Sequence, residues 1–415
     1  MRIPRTSFVS NSLLLSCDAA LAAILTAAFW LLAARLLPAA EVGTASTMVA
    51  ASSLIALFSR LGFDYAIPYF LPNHERPERV VEAAFLLGGL SALAGSLIFI
   101  CSLNFWLPQL RFLQEWPWML VFLVSTLSLV WINFCFALGI AQQKVPWIIA
   151  QDIVQNGARL ALWYFVFRLS GLSGGQGLFL AFAISAAASA ILGLFVLLPP
   201  GAKLRSTLDR TALVGVGGYA AGSYGTALLA TTPEFLMPII VTSILGSAST
   251  AVFSVCLMAV SAVGILNSAA ISVTFAEGSR SKETLADRFP NIMYFIWGYM
   301  AVCFVLAYYL GHFALGLFGA EYAEKGFGLL LLLLAAKPIV ALNDFTVVLQ
   351  RIYRKLRTVY VLFTLLAVGW VIISALTLRV YGLNAAGISY LLIQALVALG
   401  GFFFVRPHPL KKSSL

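Results

Sequence analysis

The sequence predicts an all-α polytopic membrane protein with about twelve spanning helices, and three observations carry that prediction. The 415-residue chain is 61% apolar and only 10% charged, whereas soluble domains run at about 45–50% apolar and about 25% charged. Apolar runs recur along its whole length, each near the roughly 20 residues that a span requires. Basic residues gather in alternate connectors between those runs. Twelve spans consume about 240 residues, so the rest forms short connectors and leaves no room for a large extramembrane domain.

Apolar runs bounded by charges, prolines and polar clusters place the helices at 12–37, 42–69, 80–105, 116–140, 147–168, 177–198, 212–245, 249–276, 291–316, 326–350, 358–379 and 385–405. No small-residue cleavage site follows the first run, which is therefore read as a retained helix. The seventh run is overlong and holds Pro233 and Pro238. It is either one kinked helix or two broken segments, because proline removes a ladder hydrogen bond.

The connectors then fix an orientation. Of the 26 basic residues, eighteen fall on one side, from Arg2 and Arg5 through Lys144 and the Arg351–Arg357 cluster to Lys411 and Lys412. Five fall on the other: Arg35, Arg111, Arg168, Lys325 and Arg379. Arg60, Arg159 and Lys337 remain inside the spans. Cytoplasmic connectors carry the basic excess, so both termini are read as cytoplasmic. The net charge of +10 is thus a topology signal, and nucleic acid is not the expected partner. The alternation survives to Lys412 only if the seventh run crosses once. Five scattered cysteines (Cys17, Cys101, Cys135, Cys256, Cys303) and three distant histidines (His74, His312, His408) form neither a disulfide framework nor a metal motif. No cofactor is expected.

The chain also carries a duplication. Residues 32–57 (LAARLLPAAEVGTASTMVAASSLIAL) lie on residues 240–265 (IVTSILGSASTAVFSVCLMAVSAVGI) without gaps at an offset of 208. Six helices precede the second copy, so both enter the membrane in one orientation. The chain is thus expected to hold two six-helix lobes, 1–205 and 206–415. Parallel repeats are a recurrent transporter architecture, with substrate near the bilayer midplane.

The pattern AARLLPAAEVGTASTMVAASSLIALFSRLGFDYAIPYFLP (33–72) resembles the opening of the bacterial lipid-linked oligosaccharide flippases, the Wzx-like family of the multidrug/oligosaccharidyl-lipid/polysaccharide exporter superfamily. In that family the first helix commonly ends in Ala-Arg with a short turn before Phe/Val-Gly, matched by Ala34-Arg35 and Val42-Gly43. Glu234, the segment LGLFGAEYAEKGFGLLLLLLAAKPIVALNDF (315–345) and RVYGLNAAGISYLL (379–392) continue the likeness. Pro38 departs from it, occupying a turn position where the family often has glycine, and Arg60 has no family counterpart. The resemblance implies a central cavity between the lobes. It also implies the bacterial inner membrane, and transfer of a polyprenyl-pyrophosphate-linked oligosaccharide to the outer leaflet by alternating access, with no covalent bond broken. Membrane lipids, and the glycan polymerase and glycosyltransferases of the same pathway, would be its partners.

Ionisable residues at mid-membrane are costly and mark function or pairing. Asp152, Gln155, Asn156 and Arg159 recur at i, i+3, i+4 and i+7, which is one helix face. Lys337 and Asp344 share a face in the tenth run. One cation per lobe suits a pyrophosphate: the Arg159 guanidinium offers bidentate donors and Lys337 a point charge. The competing reading has Arg159 pairing with Asp152 or Glu234, and Lys337 with Asp344 or Glu234, as helix locks. Glu234, Asp152 and Asp344 are candidates for coupling, and Pro233 for a hinge. Arg35 is a candidate guide for the emerging substrate or a lipid-phosphate anchor. Arg60 and Asp64 read as a local ion pair, Asp18 as reaching the inner headgroups, and Gly218 and Gly222 as a helix-packing pair. Trp106, Trp116, Trp118, Trp147 and Tyr381 read as an interfacial belt.

Two other functions compete. A multidrug or organic-cation exporter of the same superfamily should line its cavity with acids, opposite in sign to Arg159 and Lys337. A membrane glycan polymerase or ligase needs a large outer loop bearing catalytic residues, and no outer connector here exceeds about ten residues by the span limits.

Overall fold

The chain, described as a computed structural model, is characterised over residues 5–71, 77–169, 174–199, 216–278, 282–352 and 356–404. Arg2, Arg76, Lys203, Arg205, Arg210, Arg280, Arg354, Lys355, Arg406, Lys411 and Lys412 lie outside the described residues. Within the described residues the elements are helices: α1 (Arg5–Leu36), α2 (Ala39–Ser59), α3 (Phe63–Phe70), α4 (Pro77–Trp106), a 3₁₀ helix (Pro108–Gln114), α5 (Trp116–Ala141), α6 (Val145–Leu169), α7 (Gly175–Leu197), α8 (Val216–Leu245), α9 (Ser247–Gly278), α10 (Lys282–Gly316), α11 (Ala320–Ile352), α12 (Leu356–Tyr381) and α13 (Asn384–Phe404). Twelve of them are long, one for each predicted run.

Ten are long and apolar enough to cross a membrane, which makes the chain a multi-pass membrane protein. Of the other two, α6 is interrupted by its polar stripe, and α13 offers a shorter apolar stretch, Asn384–Gly400. The overlong seventh run is a single helix, α8, with Pro233 and Pro238 inside it.

One predicted helix is broken. The run 42–69 divides into α2 and α3 at Arg60–Gly62, where Leu61 and Gly62 take φ of 52° and 81°. The break leaves α2 carbonyls open, and the single Tyr224 hydroxyl proton of α8 is shared between Leu57 O at 2.6 Å and Phe58 O at 2.8 Å. Arg60 donates to Asp64 at 3.0 Å and to Asn133 of α5 at 3.1 Å. The expected local ion pair is therefore present, and it sits at a helix break.

The duplication is visible in helix register. α2 begins at Ala39 and α9 at Ser247, the offset of 208 read from the sequence. The turns before them differ. Pro38 holds φ −58° before α2, while Gly246 takes φ +88° before α9, a conformation proline cannot reach.

The described chain divides into two compact units, Met1–Ser254 and Val255–Leu415. In the first, α2, α4, α5 and α7 enclose a continuous apolar core around Met48, Phe85, Phe99, Phe122, Phe134 and Phe179. Glu41, in the first turn of α2, accepts the Gly175 N–H at 2.6 Å and so satisfies an open donor at the start of α7. The second unit has smaller cores, one around Met293, Ile296 and Phe345, another around Val359, Leu362 and Val397.

Candidate functional site

In the first unit the polar stripe of α6 is turned toward α1. Arg159 is 4% exposed. Its Nη2 donates to Thr26 Oγ1 at 3.0 Å and to Asn156 Oδ1 at 3.0 Å, and Thr26 donates to the same Asn156 oxygen at 3.2 Å. The guanidinium lies 4.6 Å from the Phe29 ring centroid and 5.8 Å from that of Phe182. Its Nε has no hydrogen-bond partner among the described residues.

The partners given to Arg159 are thus all neutral. A buried guanidinium normally pairs with a carboxylate, because burial without one forfeits hydration. Here the charge is held by an amide, a hydroxyl and an aromatic face, and cation–π contact recovers about 0.5–2 kcal/mol. Such a set holds a cation in place without cancelling its charge.

Two turns away, the Asp18 and Asp152 side chains hydrogen-bond to each other. Asp18 is 6% exposed, so its carboxyl is covered by protein. α1 starts at Arg5 rather than near residue 12, so Asp18 lies three turns into the helix rather than two. Asp152 pairs with Asp18 and not with Arg159. Gln155 is half-buried on the same stripe. Sequence reasoning missed Thr26, Phe29 and Phe182 as surroundings of Arg159. The spacing of Asp18 and Thr26, two turns apart on α1, is the signal that would have flagged a polar face there.

In the second unit, Lys337 on α11 is half-buried beside Gly264 of α9, where a Cβ would lie 3.4 Å from Lys337 Nζ. Its charge acts on Asp344. Asp344 accepts a hydrogen bond from Asn267 of α9 at 2.9 Å, and Asn267 is 5% exposed. The cation and carboxylate expected on one face of this helix thus share surroundings built by α9. Asn267 was not anticipated. Glu234 is exposed on α8 beside buried Pro233, and Arg35 is exposed in the last turn of α1.

No family model matches the chain, and no curated protein matches it by sequence. Solved structures do match. The lipid II flippase MurJ, in an inward closed conformation, superposes with a TM-score of 0.76 at 12% identity, over 95% of this chain and 87% of that one. An inward-facing multidrug resistance MATE family transporter of the MOP superfamily gives 0.69 at 14%, over 92% and 93%. The chain has the fold of these transporters. A MOP superfamily transporter from Pyrococcus furiosus, whose binding pocket is described as having reverse polarity, gives 0.65 at 15%, over 96% and 94%.

Proposed function

We propose that the chain is a flippase that carries a polyprenyl-pyrophosphate-linked oligosaccharide from the cytoplasmic to the outer leaflet of the bacterial inner membrane by alternating access, in support of cell-surface polysaccharide biosynthesis. The observation that carries this reading is Arg159: a nearly sealed guanidinium in a spanning bundle whose partners are neutral. A cation kept uncancelled in low dielectric costs stability, and an anion that must cross the membrane is a physical reason to keep it. Lys337 supplies the second cation, so that each six-helix lobe, 1–205 and 206–415, contributes one. Gln155 and Asn156 would supply polar contacts and Arg35 would meet the emerging headgroup. Asp152, Asp344 and Glu234 are assigned to coupling, and Pro233 to bending of α8. The proposed orientation keeps both termini cytoplasmic, and no chemical step is assigned. The likeness to a lipid II flippase supports a lipid-linked substrate, and pathway glycosyltransferases and polymerase are proposed neighbours.

The test is reconstitution in vesicles with a labelled polyprenyl-pyrophosphate oligosaccharide. The folded Arg159→Ala/Lys337→Ala double variant is expected to flip it at least tenfold more slowly. A parental rate would remove both residues from the substrate path.

A multidrug or organic-cation exporter is the second reading. It is favoured by the Asp18–Asp152 pair, which places acid groups in the first unit, and by the likeness to a multidrug transporter. Transport of an organic cation without any requirement for a polyprenyl-linked glycan would select it.

A further inference from the structure

The second unit contains a feature that the flippase reading does not use. α12 and α13 are pinned together over their outer halves and splayed apart over their inner halves. Trp370 Nε1 donates to Ala386 O at 3.0 Å, and the Trp370 and Tyr390 rings lie 4.6 Å apart. Just below, Gly369 admits the Ile393 side chain into the space a Cβ would need. Beyond that point the helices separate. At Gly400 a Cβ would meet no atom of the described residues within 4 Å.

The separation is a groove of about 430 Å³. Val361, Leu362 and Leu365 of α12 line one wall, and Ile393, Leu396 and Val397 of α13 the other. Its floor is apolar, since Val359, Leu362 and Val397 form one small core. Arg357 and Thr358 stand at its mouth. From Arg357 to Leu365 the groove runs eight residues, or about 12 Å at 1.5 Å per residue. Half of a hydrocarbon core about 30 Å thick is about 15 Å, so the groove is one leaflet deep.

Its mouth opens on the basic side of the chain. The sequence from the end of α11 to the start of α12 carries Arg351, Arg354, Lys355 and Arg357, with no acidic residue after Asp344. Basic clusters beside the cytoplasmic ends of spanning helices attract anionic lipids.

We infer that this groove is a binding site for an anionic phospholipid of the inner leaflet, with one acyl chain between α12 and α13 and the phosphate at Arg357 and Thr358. Charge complementarity and the one-leaflet depth select this occupant. A polyprenyl tail is much longer than a slot closed above by Gly369 and Ile393. The site uses none of the residues around Arg159 or Lys337, and it holds whichever transport reading is correct.

The test uses the purified full-length chain, delipidated and offered equimolar phosphatidylglycerol and phosphatidylcholine, with bound lipid counted by native mass spectrometry. The parent is expected to retain phosphatidylglycerol several-fold over phosphatidylcholine. Arg357→Gln should bring that ratio close to one. Gly400→Leu places a side chain in the groove, clear of the described residues, and improves helix propensity, so it should lower retention of both lipids several-fold with the unfolding temperature kept or raised. Parental retention in both variants would overturn the site. Preferential retention of an added polyprenyl phosphate over phosphatidylglycerol would overturn the assigned occupant. Neither readout depends on flipping.

Discussion

Gly43 of α2 lies against the backbone of Ser247 at the start of α9. A Cβ at Gly43 would overlap the Ser247 carbonyl and stand 3.1 Å from the Ala251 nitrogen. At the repeat offset of 208, Gly43 corresponds to Ala251 and Ala39 to Ser247. α2 therefore touches its own repeat counterpart at matched positions. A buried hydroxyl chain runs beside the contact: Thr47 to Thr242 at 2.5 Å and Thr242 to Thr250 at 2.6 Å. Ser247 donates to Gln109 at 2.7 Å, and Gln109 donates to Thr242 O at 3.2 Å.

Because the obstruction at Gly43 is backbone, no rotamer change relieves it. Gly43→Leu is expected to destabilise the protein by about 1–3 kcal/mol through overpacking, despite the gain in helix propensity. Thermal unfolding in detergent measures this, and an unfolding temperature at or above the parent's would refute the close approach.

Arg159 separates function from stability. Replacing a buried charge by an apolar side chain of similar volume is often neutral or stabilising, and Met also keeps contact with Phe29 and Phe182. Arg159→Met should therefore unfold within about 1 kcal/mol of the parent or later, while losing at least tenfold in transport. Arg159→Lys keeps the charge but cannot reproduce the guanidinium fork, so its transport should fall between the two. A stable Arg159→Met variant with parental transport would leave Arg159 without a functional role.

The sequence reveals the number of long helices because apolar runs and connector charges are local in the chain. It also reveals the register of the repeat, since Ala39 and Ser247 each follow a short turn. The break at Leu61 is hidden. The apolar run continues through it, and Gly62 alone does not announce a left-handed residue before it. The surroundings of Arg159 are hidden for a different reason: Thr26 and Phe29 are some 130 residues away in sequence, and only packing of α1 on α6 brings them in. The start of α1 is hidden because Ser7, Ser10, Asn11 and Ser12 look like a helix boundary, whereas α1 runs through them.

The broken end of α2 gives a prediction of its own. Tyr224→Phe removes the one donor shared by the Leu57 and Phe58 carbonyls and keeps the ring. Unsatisfied buried acceptors cost about 1–3 kcal/mol. Thermal unfolding should show that loss, and a parental midpoint would mean that water replaces the hydroxyl.

Asp64, beyond the Ala39–Ser59 span, makes the same region sensitive to pH. Burial raises its carboxyl above the ordinary 3.8, and the Arg60 guanidinium opposes that rise. A carboxyl raised on folding holds its proton more tightly in the folded state, so its contribution is present below about pH 4 and lost as pH rises through the folded value. Unfolding temperatures measured from about pH 4 upward should therefore fall more in the parent than in Asp64→Asn. Parallel curves would show that Arg60 cancels the burial cost.

The Asp18–Asp152 pair admits the sharpest separation of structural from transport roles. Two carboxyl groups in hydrogen-bond contact need a proton between them, since ionised carboxylates only accept. An amide supplies that donor permanently. Asp152→Asn should keep the contact with Asp18 and remain folded. Asp152→Leu instead strands Asp18, and should cost about 1–3 kcal/mol or more. If the shared proton is the one exchanged during transport, Asp152→Asn vesicles will lose the response to an imposed pH gradient while still binding substrate. A folded Asp152→Asn variant with parental pH-driven transport would confine the pair to holding α1 against α6.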